Sequence, residues 1–246
     1  MIKPINGIAL ALLILTAATT QAVAKDYQVE LLIFSNETSD TLDDEIWPEI
    51  SSVPARNARN LGYKESSPAG SYYTRLPKSA MQLSGKQASL RRSPEYRVLF
   101  HETWVQPVGT SKQGTPIRVR GGEILDNGLY ELDGYISVDR GRYLHFRSDL
   151  FHSRQLTPSE YQMLIKATPA ISPENTETEP TAESAPALPV TNTEESSING
   201  NRYLTQTTVP DFLTVEMKSA RRMRSKELHY LDHPLFGALV IISPVE

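Results

Sequence analysis

The chain has 246 residues, 25 Lys and Arg against 29 Asp and Glu, 39% hydrophobic residues and no cysteine. That length can bury a core, and the lack of cysteine excludes a disulfide framework, a thiolate zinc site, an iron–sulfur cluster and a cysteine nucleophile. A net charge of −4, if spread evenly, would oppose any polyanionic ligand.

Residues 1–24 read as a secretory signal. Lys3 gives the positive start, residues 7–18 form an uncharged apolar run, and Ala22-Val23-Ala24 is a small-x-small cleavage site before Lys25. The run is shorter than the ~20 apolar residues a membrane span needs, and no cysteine follows it to carry a lipid. The mature protein is expected to start near Lys25 and to reside in the periplasm.

Residues 27–34 (YQVELLIF) predict a strand buried on both faces. Residues 35–80 are polar and broken by Pro, Gly and Ser, which predicts a surface excursion with a short helix near 43–50. Helical character over 79–92, with Ala80, Leu83, Ala88 and Leu90 as apolar positions, ends before Pro94. Residues 96–105 predict a strand with Tyr96, Val98, Phe100 and Trp104 on one face and Arg97, His101 and Thr103 on the other. A short strand over 117–120 precedes Gly121-Gly122.

Alternation over 130–139 and 142–151 predicts a hairpin around Arg140-Gly141, with Gly141 available for positive φ. Leu132, Ile136, Val138, Leu144, Phe146 and Leu150 then face inward, and Glu131, Asp133, Asp139 and Asp149 face solvent. Residues 167–201 carry five Pro, six Glu and no Lys or Arg. That composition predicts a disordered insertion. Strands over 203–208 and 213–223 follow, and the apolar run 237–242 predicts a strand inside a sheet. The expected fold is α+β: a single domain, residues 25–166 and 202–246, built on an antiparallel β-sheet with one main helix.

Setting aside Lys3 and the six insertion glutamates leaves 24 basic residues against 23 acidic ones, a near-neutral fold. Its arginines are grouped: Arg91-Arg92 and Arg97, Arg118 and Arg120, Arg140, Arg142 and Arg147, and Arg221-Arg222 with Arg224. Trp104, Gln106, Tyr135, Tyr143, His145, His229 and Tyr230 interleave with them. Guanidinium forks suit carboxylates and phosphates, and flat rings suit sugars. An exported, near-neutral domain does not fit nucleic acid. A carboxylate-bearing glycan or peptide fits better.

No phosphate loop, dinucleotide fingerprint or nucleophile elbow occurs. His229-Tyr-Leu-Asp-His233 approaches a reversed zincin motif, with Asp in place of Glu and Pro234 opposing the helix that motif needs. The hairpin acids could be paired for glycan hydrolysis only across a cleft. Neither pattern predicts catalysis, and no metal or other cofactor is expected.

The string Arg221-Arg-Met-Arg-Ser-Lys-Glu-Leu-His-Tyr-Leu-Asp-His-Pro-Leu-Phe-Gly resembles the signature of the CsiV family, periplasmic peptidoglycan-binding proteins of gammaproteobacteria. Residues 27–34, 96–108 and 131–150 are also similar to that family. The resemblance implies a non-enzymatic role: binding peptidoglycan and promoting cell-wall synthesis through LpoA, an outer-membrane lipoprotein that activates a bifunctional penicillin-binding protein. The residues themselves nominate Arg221, Arg222, Arg224, His229, Tyr230, Arg142, Tyr143 and His145 as the ligand-binding set. The alternative for the same string is packing, with Glu227 and Asp232 locking the arginines in buried ion pairs over Tyr230, Pro234 and Phe236. Alternatives for the function are a protein–protein adaptor without direct wall contact and a murein hydrolase.

Overall fold

The structure, a computed structural model, describes residues 24–38, 50, 52–63, 71–109, 115–167 and 211–245. Its strands are β1 (Lys25–Asn36), β2 (Arg59–Asn60), β3 (Tyr96–Val108), β4 (Ile117–Ile124), β5 (Tyr130–Arg140), β6 (Leu144–Gln155), β7 (Phe212–Met223), β8 (Leu228–His233) and β9 (Phe236–Pro244). The helices are α1 (Ser84–Arg92) and α2 (Pro158–Ala167). The fold is α+β, as expected. Two sheets carry it, one ordered β3-β1-β9-β8 and the other β2-β4-β5-β6-β7. Every pairing is antiparallel except the short β2–β4 contact.

Strand β1 lies between β3 and β9, which pair both its edges, and its apolar run is buried on both faces. Val29, Leu31 and Ile33 share one face with Trp104, Phe100, Val240 and Ile242. On the five-stranded sheet, Leu132, Ile136, Phe146, Leu150, Val215 and Met217 form the opposing face, all buried. His152 of β6 meets Phe236 of β9 with ring centroids 5.5 Å apart, which closes the two faces on each other. Each large side chain buried there contributes roughly 1.5–3 kcal/mol.

The other face of the first sheet packs under α1. Leu32, Leu83 and Ile241 form its centre, with Leu90, Val98 and Leu239 packed around them. Helix α1 buries none of its own residues and has no side-chain cap. Glu30 holds its start instead, accepting the N–H groups of Gln82 at 2.7 Å and Leu83 at 2.9 Å. A carboxylate at a helix N-terminus satisfies orphan donors and suits the helix dipole.

Several expectations change. A register shift at Ile33/Phe34 inserts Leu99 into β3, and a bulge of this kind reverses the side-chain alternation. Tyr96 and Val98 therefore join Phe34 on the α1 side, while Phe100 and Trp104 face the second sheet. Arg97 separates from His101 for the same reason. The hairpin turn is Gly141–Tyr143, closed by Gly141 N–H to Tyr143 O at 3.0 Å, and Gly141 does not take positive φ. The segment read as a surface excursion supplies β2, buried Leu61 and Thr74, and a bridge from Arg75 to Trp104. The helix expected near 43–50, the strand over 203–208 and nearly all of 167–201 lie outside the described residues, as do residues 1–23.

By its contacts the chain forms two compact units, Met1–Gln155 with Phe212–Glu246, and Leu156–Asp211. The second contains α2, which sequence reasoning missed. The signal was present: Thr157-Pro-Ser-Glu160 is a capping box with Pro at the first helical position. Thr157 N–H reaches Glu160 Oε2 at 2.8 Å, and Glu160 N–H returns to Thr157 Oγ1 at 3.3 Å.

His152 donates Nδ1–H to the Glu131 carbonyl at 2.8 Å, and its burial outweighs that bond and holds the imidazole below its usual value of 6.5. The folded state prefers the neutral ring. The stability it contributes is therefore complete above the ordinary histidine range and lost as pH falls below it. Thermal unfolding followed by circular dichroism should give a lower midpoint at about pH 5 than at about pH 7.5, and His152→Gln should flatten that difference.

Candidate functional site

The outer face of the five-stranded sheet is where the charges converge. Pairing places Asp139, His145 and Arg222 in one row, Ser137, Arg147 and Ala220 in the next, and Tyr135, Asp149 and Lys218 in a third. The hairpin acids expected in solvent are buried there, and each is held by arginine. Arg97 reaches across from β3 to grip Glu131 with both terminal nitrogens. Arg118 binds Asp133 through Nε at 2.9 Å and through Nη2 at 2.6 Å, with Arg120 Nε joining at 3.2 Å. Arg147 pairs with Asp139, and Arg56, from the supposed excursion, pairs with Asp149. Guanidinium–carboxylate forks of this kind fix geometry. They commit Arg97, Arg118, Arg120 and Arg147 to the fold. Trp104, which interleaves with the arginines in sequence, is fully buried and donates Nε1–H to Gln106 Oε1 at 2.8 Å.

A second group of arginines is not committed in this way. At the hairpin end, Arg222 stacks on the Tyr143 ring 4.1 Å from its centroid, and Arg142 approaches the same ring at 5.6 Å. Tyr143 is 42% exposed. Arg142 and Arg222 have no carboxylate partner among the described residues. His145 lies opposite Arg222 across the β6–β7 ladder. A phenol ring with guanidinium groups stacked on it presents unused N–H forks to solvent.

The nominated residues therefore divide. Arg142, Tyr143, His145 and Arg222 come together. Arg221 is exposed beside Arg222 but alternates to the other side of β7. Arg224 N–H donates to His229 Nε2 of β8 at 3.3 Å, and the Arg224 side chain meets Glu227 at 3.5 Å in the β7–β8 turn. Tyr230 belongs to the first sheet, stacked on Phe34 with centroids 6.4 Å apart and donating to Asp232 at 2.6 Å. Burial and the Asp232 hydrogen bond push its phenol up to about 12, which keeps it neutral. The packing alternative is not what these residues adopt: the arginines are exposed, and only Phe236 of the proposed core is buried.

His229 and His233 both sit on β8. Four residues along a strand separate them by roughly 13 Å, too far to share a metal ion. His233 accepts the Leu235 N–H at 3.2 Å. Among the described residues, no group of three His, Asp or Glu is placed to hold a metal, and no helix is long and apolar enough to cross a membrane.

These features define a two-sheet α+β protein with an exposed arginine–tyrosine surface. The family model described as "Peptidoglycan-binding protein, CsiV" matches residues 7–245. The chain belongs to that family, as its C-terminal string suggested, and a peptidoglycan-binding family belongs to the cell envelope. Comparison with curated proteins gives no match, and comparison with solved structures gives none.

Proposed function

We propose that this protein is a non-enzymatic accessory factor of the periplasm that binds peptidoglycan directly. In this reading it promotes cell-wall synthesis through an LpoA-type outer-membrane lipoprotein, the activator of a bifunctional penicillin-binding protein. Family membership supports the wall ligand, and the apparent secretory signal at residues 1–24 supports the compartment. The single observation that carries direct binding is the stack of Arg142 and Arg222 on Tyr143, exposed and free of carboxylate partners among the described residues. Stem peptides of the wall carry carboxylates that match guanidinium forks, and its sugar rings match a phenol face.

The mature protein should pellet with isolated sacculi. Retention in the supernatant would overturn direct binding, pelleting only with the lipoprotein present would favour an adaptor, and release of soluble muropeptides would favour a hydrolase. Arg142→Ala combined with Arg222→Ala should lower sacculus affinity by roughly tenfold or more, since each lost charge-assisted bond is worth about 1.5–3 kcal/mol. The melting temperature should stay unchanged because both side chains are exposed. Unchanged pelleting by this variant would remove the stack from the binding surface.

A further inference from the structure

Strand β3 is the outer strand of the first sheet, and its free edge is covered only in part. At one end the carbonyls of Thr103 and Val105 accept the N–H groups of Leu76 and Tyr73, each at 2.8 Å. At the other end the Leu99 carbonyl lies against Gly121 of β4. Antiparallel alternation turns the N–H and C=O of every second residue to the same edge, so His101 follows Thr103 and Val105 in facing outward. Neither backbone group of His101 has a backbone partner on that side among the described residues. Its side chain is 2% exposed although the residue as a whole is partly exposed, so what it shows to solvent is backbone.

Beside that backbone lies a groove of about 230 Å³ between β3 and α1. Met81 and Val98 give it apolar walls, Lys78, Gln87 and Arg91 give it polar ones, and no acidic residue lines it. Lys78 and Arg91 are exposed, and the side chains of Lys78, Gln87 and Arg91 make no hydrogen bond or ion pair among the described residues. We infer that this groove holds the free end of a short peptide: an extended residue pairs with the His101 backbone, and the terminal carboxylate lies between Lys78 and Arg91, with Gln87 as a further donor. The length of the opening favours a chain end over a strand of a folded partner. Only the His101 pair of backbone groups is free between the Leu76 contact at Thr103 and the Gly121 contact at Leu99, whereas strands in folded proteins run to about five or six residues. Resting on the wall-binding reading, the source of such an end is the stem peptide of peptidoglycan. The groove belongs to the first sheet and the Arg222 stack to the second, so the two contacts are separate.

Titration calorimetry of the mature protein with a muramyl pentapeptide tests this, beside sacculus pelleting. The expected result is binding that weakens roughly tenfold when the terminal carboxylate of the pentapeptide is amidated, and roughly tenfold with Arg91→Ala, the loss of one charge-assisted bond in each case. The melting curve of Arg91→Ala should match that of the wild type, because the side chain is exposed and unpaired among the described residues. In NMR spectra the His101 amide should shift and gain protection from exchange when the pentapeptide binds. Equal affinity for the amidated peptide, indifference to Arg91→Ala, or a His101 amide that does not respond overturns the groove. Sacculi that pellet while the pentapeptide does not bind also overturn it and leave the wall reading intact. Pentapeptide binding without pelleting keeps the groove and overturns direct binding of the intact wall. Failure of both ligands ends both.

Discussion

Gly121→Ala is expected to destabilise the mature protein by about 3 kcal/mol, or to prevent folding. A Cβ at Gly121 would overlap the carbonyl oxygen of Leu99 and stand 2.9 Å from its carbonyl carbon. Backbone atoms of a strand paired into a sheet cannot step aside as a flexible side-chain end can. The contact lies where β4 of one sheet passes β3 of the other, beside the bulge at Leu99. Overpacking usually costs about 1–3 kcal/mol, and backbone overlap belongs at the upper end. For a domain of this size that is a fall of roughly 6–12 °C in Tm by circular dichroism. An unchanged midpoint would mean that the strands are not this close. Gly128→Ala is the matched control for a lost glycine, since nothing lies within 4 Å of its added carbon, although its φ of +81° makes some local strain unavoidable.

The second large effect is expected at Glu30. It is 1% exposed and receives three donors: Gln82 N–H, Leu83 N–H and His101 Nε2 at 2.8 Å. Glu30→Ala leaves three donors without their acceptor, and each buried donor orphaned in this way costs about 1–3 kcal/mol. Glu30→Gln keeps one acceptor and should lose less. Burial alone would raise the Glu30 carboxyl, but the His101 hydrogen bond, the two backbone donors and the His101 charge outweigh it and hold it below the usual 4.5. A depressed acid contributes stability in full above its unfolded value and loses it as pH falls through that value toward the folded one. Melting midpoints of the wild type should therefore drop between about pH 5 and about pH 3. Glu30→Gln should remove much of that slope, and a slope identical in both proteins would assign acid sensitivity to other groups.

Much of the fold was legible because burial and local pattern agree along it. Residues 27–34 and 237–242 are continuous apolar runs, and both became neighbouring interior strands. The hairpin alternation at Leu132, Ile136, Phe146 and Leu150 placed the inner face correctly. What failed depended on distant partners. Glu131, Asp133, Asp139 and Asp149 look like a solvent face until Arg97 and Arg56 arrive from segments 34 and 93 residues away. The bulge at Leu99 is set by pairing with β1, and nothing within residues 96–105 announces it. Strand β8 was hidden because His229 to His233 drew attention as a metal motif and Pro234 directly follows it. For the nominated site, sequence proximity grouped Arg221 with Arg222, and strand pleating separated them. Tyr143 with Arg222 was the reverse case: residues distant in sequence were brought together by the β6–β7 register.

The position of β1 governs how the chain can reach this state. The first strand is interior to its sheet, and one of its two neighbours is the last strand, paired from Tyr27 with Pro244 to Ser35 with Phe236. Val245 N–H also bonds the Asp26 carbonyl at 3.0 Å. The first sheet therefore cannot be completed until β8 and β9 are available. Contacts that join the two ends of a chain raise contact order and slow folding. Until β9 has been made, β1 can therefore be paired on one side only, and its second edge stays open to other partners.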